Sequence, residues 1–163
     1  MEPIPEEVVE ENWQEVAGFT PGQQNKEMGK LAKNQPDLLA FMMEFSEELD
    51  REVKELAIYM FFVVYRSFEK GSRKKIRKIS AKEIIECYEY NEGLMKSLEG
   101  VHEKFLDRIA RAELSRQPYV IKYVTDTLME APEEEDPLDL TEEDVGFLFL
   151  LLKTVVDVLD KTK

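Results

Sequence analysis

The chain has one cysteine and one histidine in 163 residues. A single thiol excludes a disulfide framework and a cysteine-rich zinc site. Cys87 and His102 stand fifteen residues apart, about 22 Å along a continuous helix, far beyond the ~3 Å reach of a nucleophile–base dyad. Glycine and proline are scarce at seven each, and most fall between periodic segments, which favours helices over a many-turned β fold. The N-terminus lacks the basic and apolar regions of a secretory signal. The longest unbroken apolar runs, 57–65 and 147–152, are far short of the ~20 residues that span a bilayer. The expectations are a cytoplasmic protein with no membrane partner. Neither the nucleophile-elbow motif nor the two glycine-rich phosphate-binding motifs occurs. No cofactor and no enzymatic activity are expected.

What is abundant is charge and apolar periodicity. Charged residues make up 35% of the chain and hydrophobic ones 43%, with a formal charge of −13, a composition that folds and stays dissolved. One domain over 1–163 is expected, able to bury roughly 70% of its unfolded surface without a metal or disulfide.

Start signals and stripes recur along the chain. Residues 6–17 place Val8, Val9, Trp13 and Val16 near one helical face. Trp13 is expected to anchor the core, with ligand stacking as the alternative. Thr20-Pro21-Gly22-Gln23 carries a capping box and an N1 proline. From 36 to about 70, apolar residues at three- and four-residue steps, from Leu38 through Val63, predict one long helix, apolar all round in its second half. Ser80 and Glu83 cap a second long helix to about 114, with Gly100 a candidate break. Pro118 opens a helix with Val120, Ile121, Val124 and Leu128 inward. A proline-containing acidic linker follows at 131–141, then a very apolar helix capped by Thr141 and Asp144. The fold class is therefore all-α: a bundle of about five to six helices built around a long antiparallel helical hairpin. The two most apolar segments, 56–68 and 145–159, exceed what one small bundle is expected to cover and point to a possible homo-oligomer.

The sharpest asymmetry is electrostatic. Eight of 22 basic residues fall within 66–82: Arg66, Lys70, Arg73, Lys74, Lys75, Arg77, Lys78 and Lys82. The rest of the chain carries a formal −20. These eight are the candidate binding residues, placed at the tip of the hairpin. The segment reads as a solvated turn suited to a helix C-terminus, as a partner for acidic surface such as 130–144 in the same or another chain, or as a phosphate contact for nucleic acid or an anionic surface. The lack of interleaved aromatics and the acidity elsewhere count against nucleic acid. Glu99 and His102 form one Glu-x-x-His element, a weak metal candidate, since di-iron bundles need two. The favoured reading is a protein–protein interaction or scaffold module. An anionic-surface binder and a carboxylate–histidine metalloprotein are the alternatives.

Overall fold

A computed structural model describes residues 2–97, 116–130 and 140–161. The described residues are all-α, a bundle of helices α1 (Glu6–Ala17), α2 (Pro21–Asn34), α3 (Pro36–Phe45), α4 (Arg51–Gly71), α5 (Ala81–Ser97), α6 (Pro118–Glu130) and α7 (Glu142–Asp160). Three start signals act as the sequence implies. Thr20 Oγ1 accepts from Gln23 N at 3.2 Å while the Gln23 side chain accepts from Thr20 N at 2.9 Å. The same reciprocal pair forms between Ser80 and Glu83 and between Thr141 and Asp144, so each helix start has two otherwise orphaned N–H groups satisfied.

The C-terminal helix is the axis of the bundle. Residues 148–156 and 158–160 of α7 are all buried, because α4, α5 and α6 surround it, with a smaller contact from α3. A helix apolar all round is stable in water only in such a position. Helix α4 lies alongside, with Met60 to Tyr65 and Phe68 in the core. Both very apolar helices are thus covered within one chain, and the surplus apolar surface that pointed to oligomerisation is taken up by α7 docking against α4.

The long hairpin is corrected in two ways. The segment 36–70 is two helices. Ser46 Oγ donates back to Met42 O at 2.6 Å and Leu49 N donates to Ser46 O at 3.1 Å. This closes a tight turn among exposed Glu47, Glu48 and Asp50, from which α4 restarts. A hydroxyl bonded to its own i−4 carbonyl competes with the helix ladder, and the apolar phase carries across the turn, which hides it from a periodicity reading. Nor do α4 and α5 form an antiparallel pair: they scarcely touch, and both pack on α7 instead. The stretch of the second helix beyond Ser97, its candidate break at Gly100, and residues 131–139 of the acidic linker lie outside the described residues.

Helix α1 runs antiparallel to α4. Ile4, just before it, packs against Gly71 at the end of α4, where a Cβ would stand 2.6 Å from Ile4 Cδ1. Buried Asn12 donates to Val63 O at 2.8 Å and to Ser67 Oγ at 2.9 Å. Helix α6 lies beside α1 with Val120, Ile121, Val124 and Leu128 buried, as the pattern requires. Gln117, at the start of α6, accepts from Ile4 N at 2.9 Å and donates to Asp160 at 2.9 Å, tying both ends of the fold together.

Candidate functional site

The eight basic residues separate into two groups. Arg66 belongs to the body of the fold. Its guanidinium donates to Asn12 Oδ1 at 3.0 Å and to Glu15 at 3.1 Å, and stacks 4.9 Å over the Phe19 ring. Lys70 also pairs with Glu15, and these two cations, Lys70 foremost, hold the Glu15 carboxyl below its usual range. Arg77 forms a bidentate pair with Glu83, at 2.7 and 3.0 Å. Lys82 stands 4.0 Å from Glu86 on the next turn.

The remaining four, Arg73, Lys74, Lys75 and Lys78, are exposed in the loop 72–80 and form no ion pair among the described residues. The loop itself is firmly seated. Gln35, fully buried, accepts from Ile79 N at 3.0 Å and donates to Arg77 O at 2.8 Å. Ile79 is buried and Ile76 packs on the core. Four uncommitted cations are therefore presented on a fixed backbone.

The Arg77–Glu83 pair makes an acid-sensitive joint at the start of α5. Arg77, and then the N–H of Ser80, lower the Glu83 carboxyl from 4.5 to about 2. A carboxyl depressed on folding adds stability above its unfolded value, and loses it as pH falls from about 4.5 to about 2. Both side chains are nearly half exposed, which limits the gain to about 1 kcal/mol at most. Arg77→Gln is expected to raise the Glu83 titration toward 4.5 in carboxyl-detected NMR and to flatten the stability loss in that acid window; an unmoved Glu83 midpoint would assign the depression elsewhere.

One concave feature, a groove beside α1, was not foreseen from the sequence. Trp13 is not a core anchor: it is 40% exposed. The buried residue on that turn is Asn12, whose side chain is claimed by α4, and this rotates α1 so that Trp13 faces the channel between α1 and α6. There it lines a groove of about 430 Å³ with Val9, Leu56, Tyr59, Tyr119 and Tyr123. None of these four aromatic rings stacks on another, so their faces are not spent on one another. Burial pushes the Tyr123 and Tyr59 hydroxyls up, and both phenols stay neutral across the physiological range. Glu6, Glu10, Asp126 and Glu130 also line the groove, against one cation, Lys122, which pairs with Asp126 at 3.4 Å. The walls are aromatic and the rim carries a formal −3. The aromatic spacing Tyr119–Tyr123 on one face of α6 was the available signal, but a tyrosine four residues from another reads as core until its neighbours are known.

A second cleft, about 510 Å³, opens between α5 and α7 beside Arg77, Cys87 and Lys153. Lys153, in the middle of the most apolar helix, has a side chain 1% exposed. Its ammonium donates to Asp157 at 2.7 Å and to Asn91 Oδ1 at 2.9 Å. The Asn91 amide donates to Thr154 Oγ1 at 3.2 Å and to Asp157 at 3.1 Å. Among the described residues no buried side-chain polar atom lacks a partner, so this cluster holds α5 and α7 in register and its charges are internally matched.

Glu99 and His102 lie outside the described residues. Among the described residues no group of three or more histidine, cysteine, aspartate and glutamate side chains is placed to hold a metal ion, and no helix is long and apolar enough to cross a membrane. The chain matches no family model, no curated protein and no solved structure.

Proposed function

We propose that the protein acts by binding rather than by catalysis, as a helical interaction module whose α1–α6 groove receives a lysine- or arginine-bearing segment of a protein partner. The observation that carries this reading is the groove itself: four aromatic rings with unstacked faces around one cavity, under a rim of four carboxylates. Aromatic faces attract organic cations, by about 0.5–1 kcal/mol when exposed and ~2 when desolvated. The aliphatic stems of lysine and arginine match apolar walls while their heads meet the carboxylates. Rim charge steers the encounter and selects against acidic segments.

Trp13 is the only tryptophan, so its emission reports groove occupancy with no labelling. Titration with nonapeptides carrying three to five lysines or arginines is expected to shift or quench that emission, whereas acidic peptides of the same length leave it unchanged. Tyr119, 38% exposed, is replaceable without a core cavity, and Tyr119→Ala is expected to weaken peptide binding about tenfold, the loss of roughly 1.4 kcal/mol. An emission spectrum indifferent to every cationic peptide at millimolar concentration would overturn the proposal.

A further inference from the structure

We propose that the cationic segment received by this groove is the 72–80 loop of a second copy of the chain, so that copies associate head to tail; the inference rests on the groove reading above. The two surfaces complement each other in charge, length and rigidity. The loop offers Arg73, Lys74, Lys75 and Lys78, exposed and outside any ion pair among the described residues, against the rim of Glu6, Glu10 and Glu130, which form no contact ion pair among the described residues, although Glu6 and Glu10 act on Lys122 at longer range. The other members of the basic run already have partners in their own chain, which leaves these four as its surplus. Arg73 to Lys78 spans at most about 17 Å, the extended limit at ~3.4 Å per residue, and less here because the backbone bends at Arg73 and Lys74, so the loop fits within the groove wall from Glu6 to Ala17, about 16 Å at 1.5 Å per residue.

Rigidity favours this occupant. Gln35 fixes the loop backbone at Arg77 and Ile79, so little chain entropy is lost on docking. Loop and groove are different patches, so the contact is heterologous and extends into a ring or an open chain instead of stopping at a two-fold dimer. The net charge of −13 opposes association at long range. That repulsion is screened beyond about 8 Å at 0.15 M salt, whereas the groove contacts lie within it.

Sedimentation velocity of the full chain between about 10 μM and 1 mM at 0.15 M salt tests this. Wild type is expected to show mass rising with concentration. Neutralisation of the loop, K74Q/K75Q/K78Q, and charge reversal of the rim, E6K/E10K/E130K, are each expected to give monomers, at least tenfold weaker in association. All six positions are exposed, and circular dichroism verifies that both variants fold. The deciding sample is the mixture: the loop variant retains a groove and the rim variant retains a loop, so together they are expected to form a one-to-one dimer that grows no further. A wild-type chain that is monomeric throughout overturns the proposal, as does wild-type assembly with a mixture that stays monomeric. Loop-dependent binding to nucleic acid or anionic vesicles by a monomeric wild type would also overturn it, and would assign the four cations to phosphate. If cationic peptides still shift Trp13 emission while the chain stays monomeric, the groove reading stands and only the identity of its occupant fails.

Discussion

Asp157→Ala is expected to lower the unfolding free energy by about 3 kcal/mol, the cost of removing one partner from a buried, hydrogen-bonded charge pair. Its carboxylate accepts from Lys153 and from the Asn91 amide, and both donors sit in the interior, Lys153 at 1% and Asn91 at 0% exposure. Lys153→Met is expected to destabilise less. It removes the charge that is expensive to bury and leaves Asp157 on the wetter side of the cluster, at 27% exposure, where water replaces the lost donor. The informative variant is the pair K153M/D157L. With both charges gone and the volume filled, it is expected to recover most of what D157A loses, since a well-packed apolar replacement of a buried ion pair is often neutral or better. Urea unfolding of K153M, D157L and K153M/D157L, read as a cycle, is expected to give a coupling of at least about 1.5 kcal/mol. Additive effects would mean that the pair is not an energetic unit.

That cluster was legible in principle. A lysine in the midst of Phe147 to Leu159 has to be buried if the helix is, and a buried lysine requires acceptors; Asp157 lies one turn on. What the sequence could not supply was Asn91, because nothing local brings α5 against that face of α7. The same division runs through the fold. Capping boxes at Thr20, Ser80 and Thr141 were readable because they satisfy their own backbone within three residues. The inward face of α6 was readable because four buried residues repeat at helical spacing. The turn at 46–50 was missed because the apolar phase on either side is continuous and the signal is one serine hydroxyl bonded to its own helix. The orientation of Trp13 was missed for a different reason. Tryptophan outranks asparagine as a core residue on composition, yet Asn12 has three committed hydrogen bonds across to α4, and those decide which way α1 turns. The groove is a consequence of that rotation, so the candidate site was hidden by the same polar contact that builds it.

Replacing Arg66 is expected to cost about 2–3 kcal/mol, whereas neutralising Lys74, Lys75 and Lys78 together is expected to change stability by less than about 0.5 kcal/mol, although all four belong to one basic run. Arg66→Ala strands Asn12 Oδ1, which accepts the Arg66 guanidinium at 3.0 Å inside a residue with no exposed surface, and an orphaned buried acceptor costs roughly 1–3 kcal/mol. It also removes the cation over Phe19 and one of the two partners of Glu15. Arg66→Lys is expected to recover little, because a single ammonium does not reproduce the planar fork that reaches Asn12 and Glu15 at once. The Glu15 carboxyl gives an independent reading: Lys70 is the larger cause of its depression and Arg66 the next, so in Arg66→Ala it is expected to titrate higher than in wild type yet still below its usual range. The loop lysines touch none of this, and exposed substitutions away from packed features shift stability little. Thermal or urea unfolding of the two variants therefore sorts the run into cations that hold α4 against α1 and cations that the fold itself does not use. A loop variant as destabilised as Arg66→Ala would show that its charges support the chain that carries them. At native stability, any association it has lost is a loss of contact with another molecule.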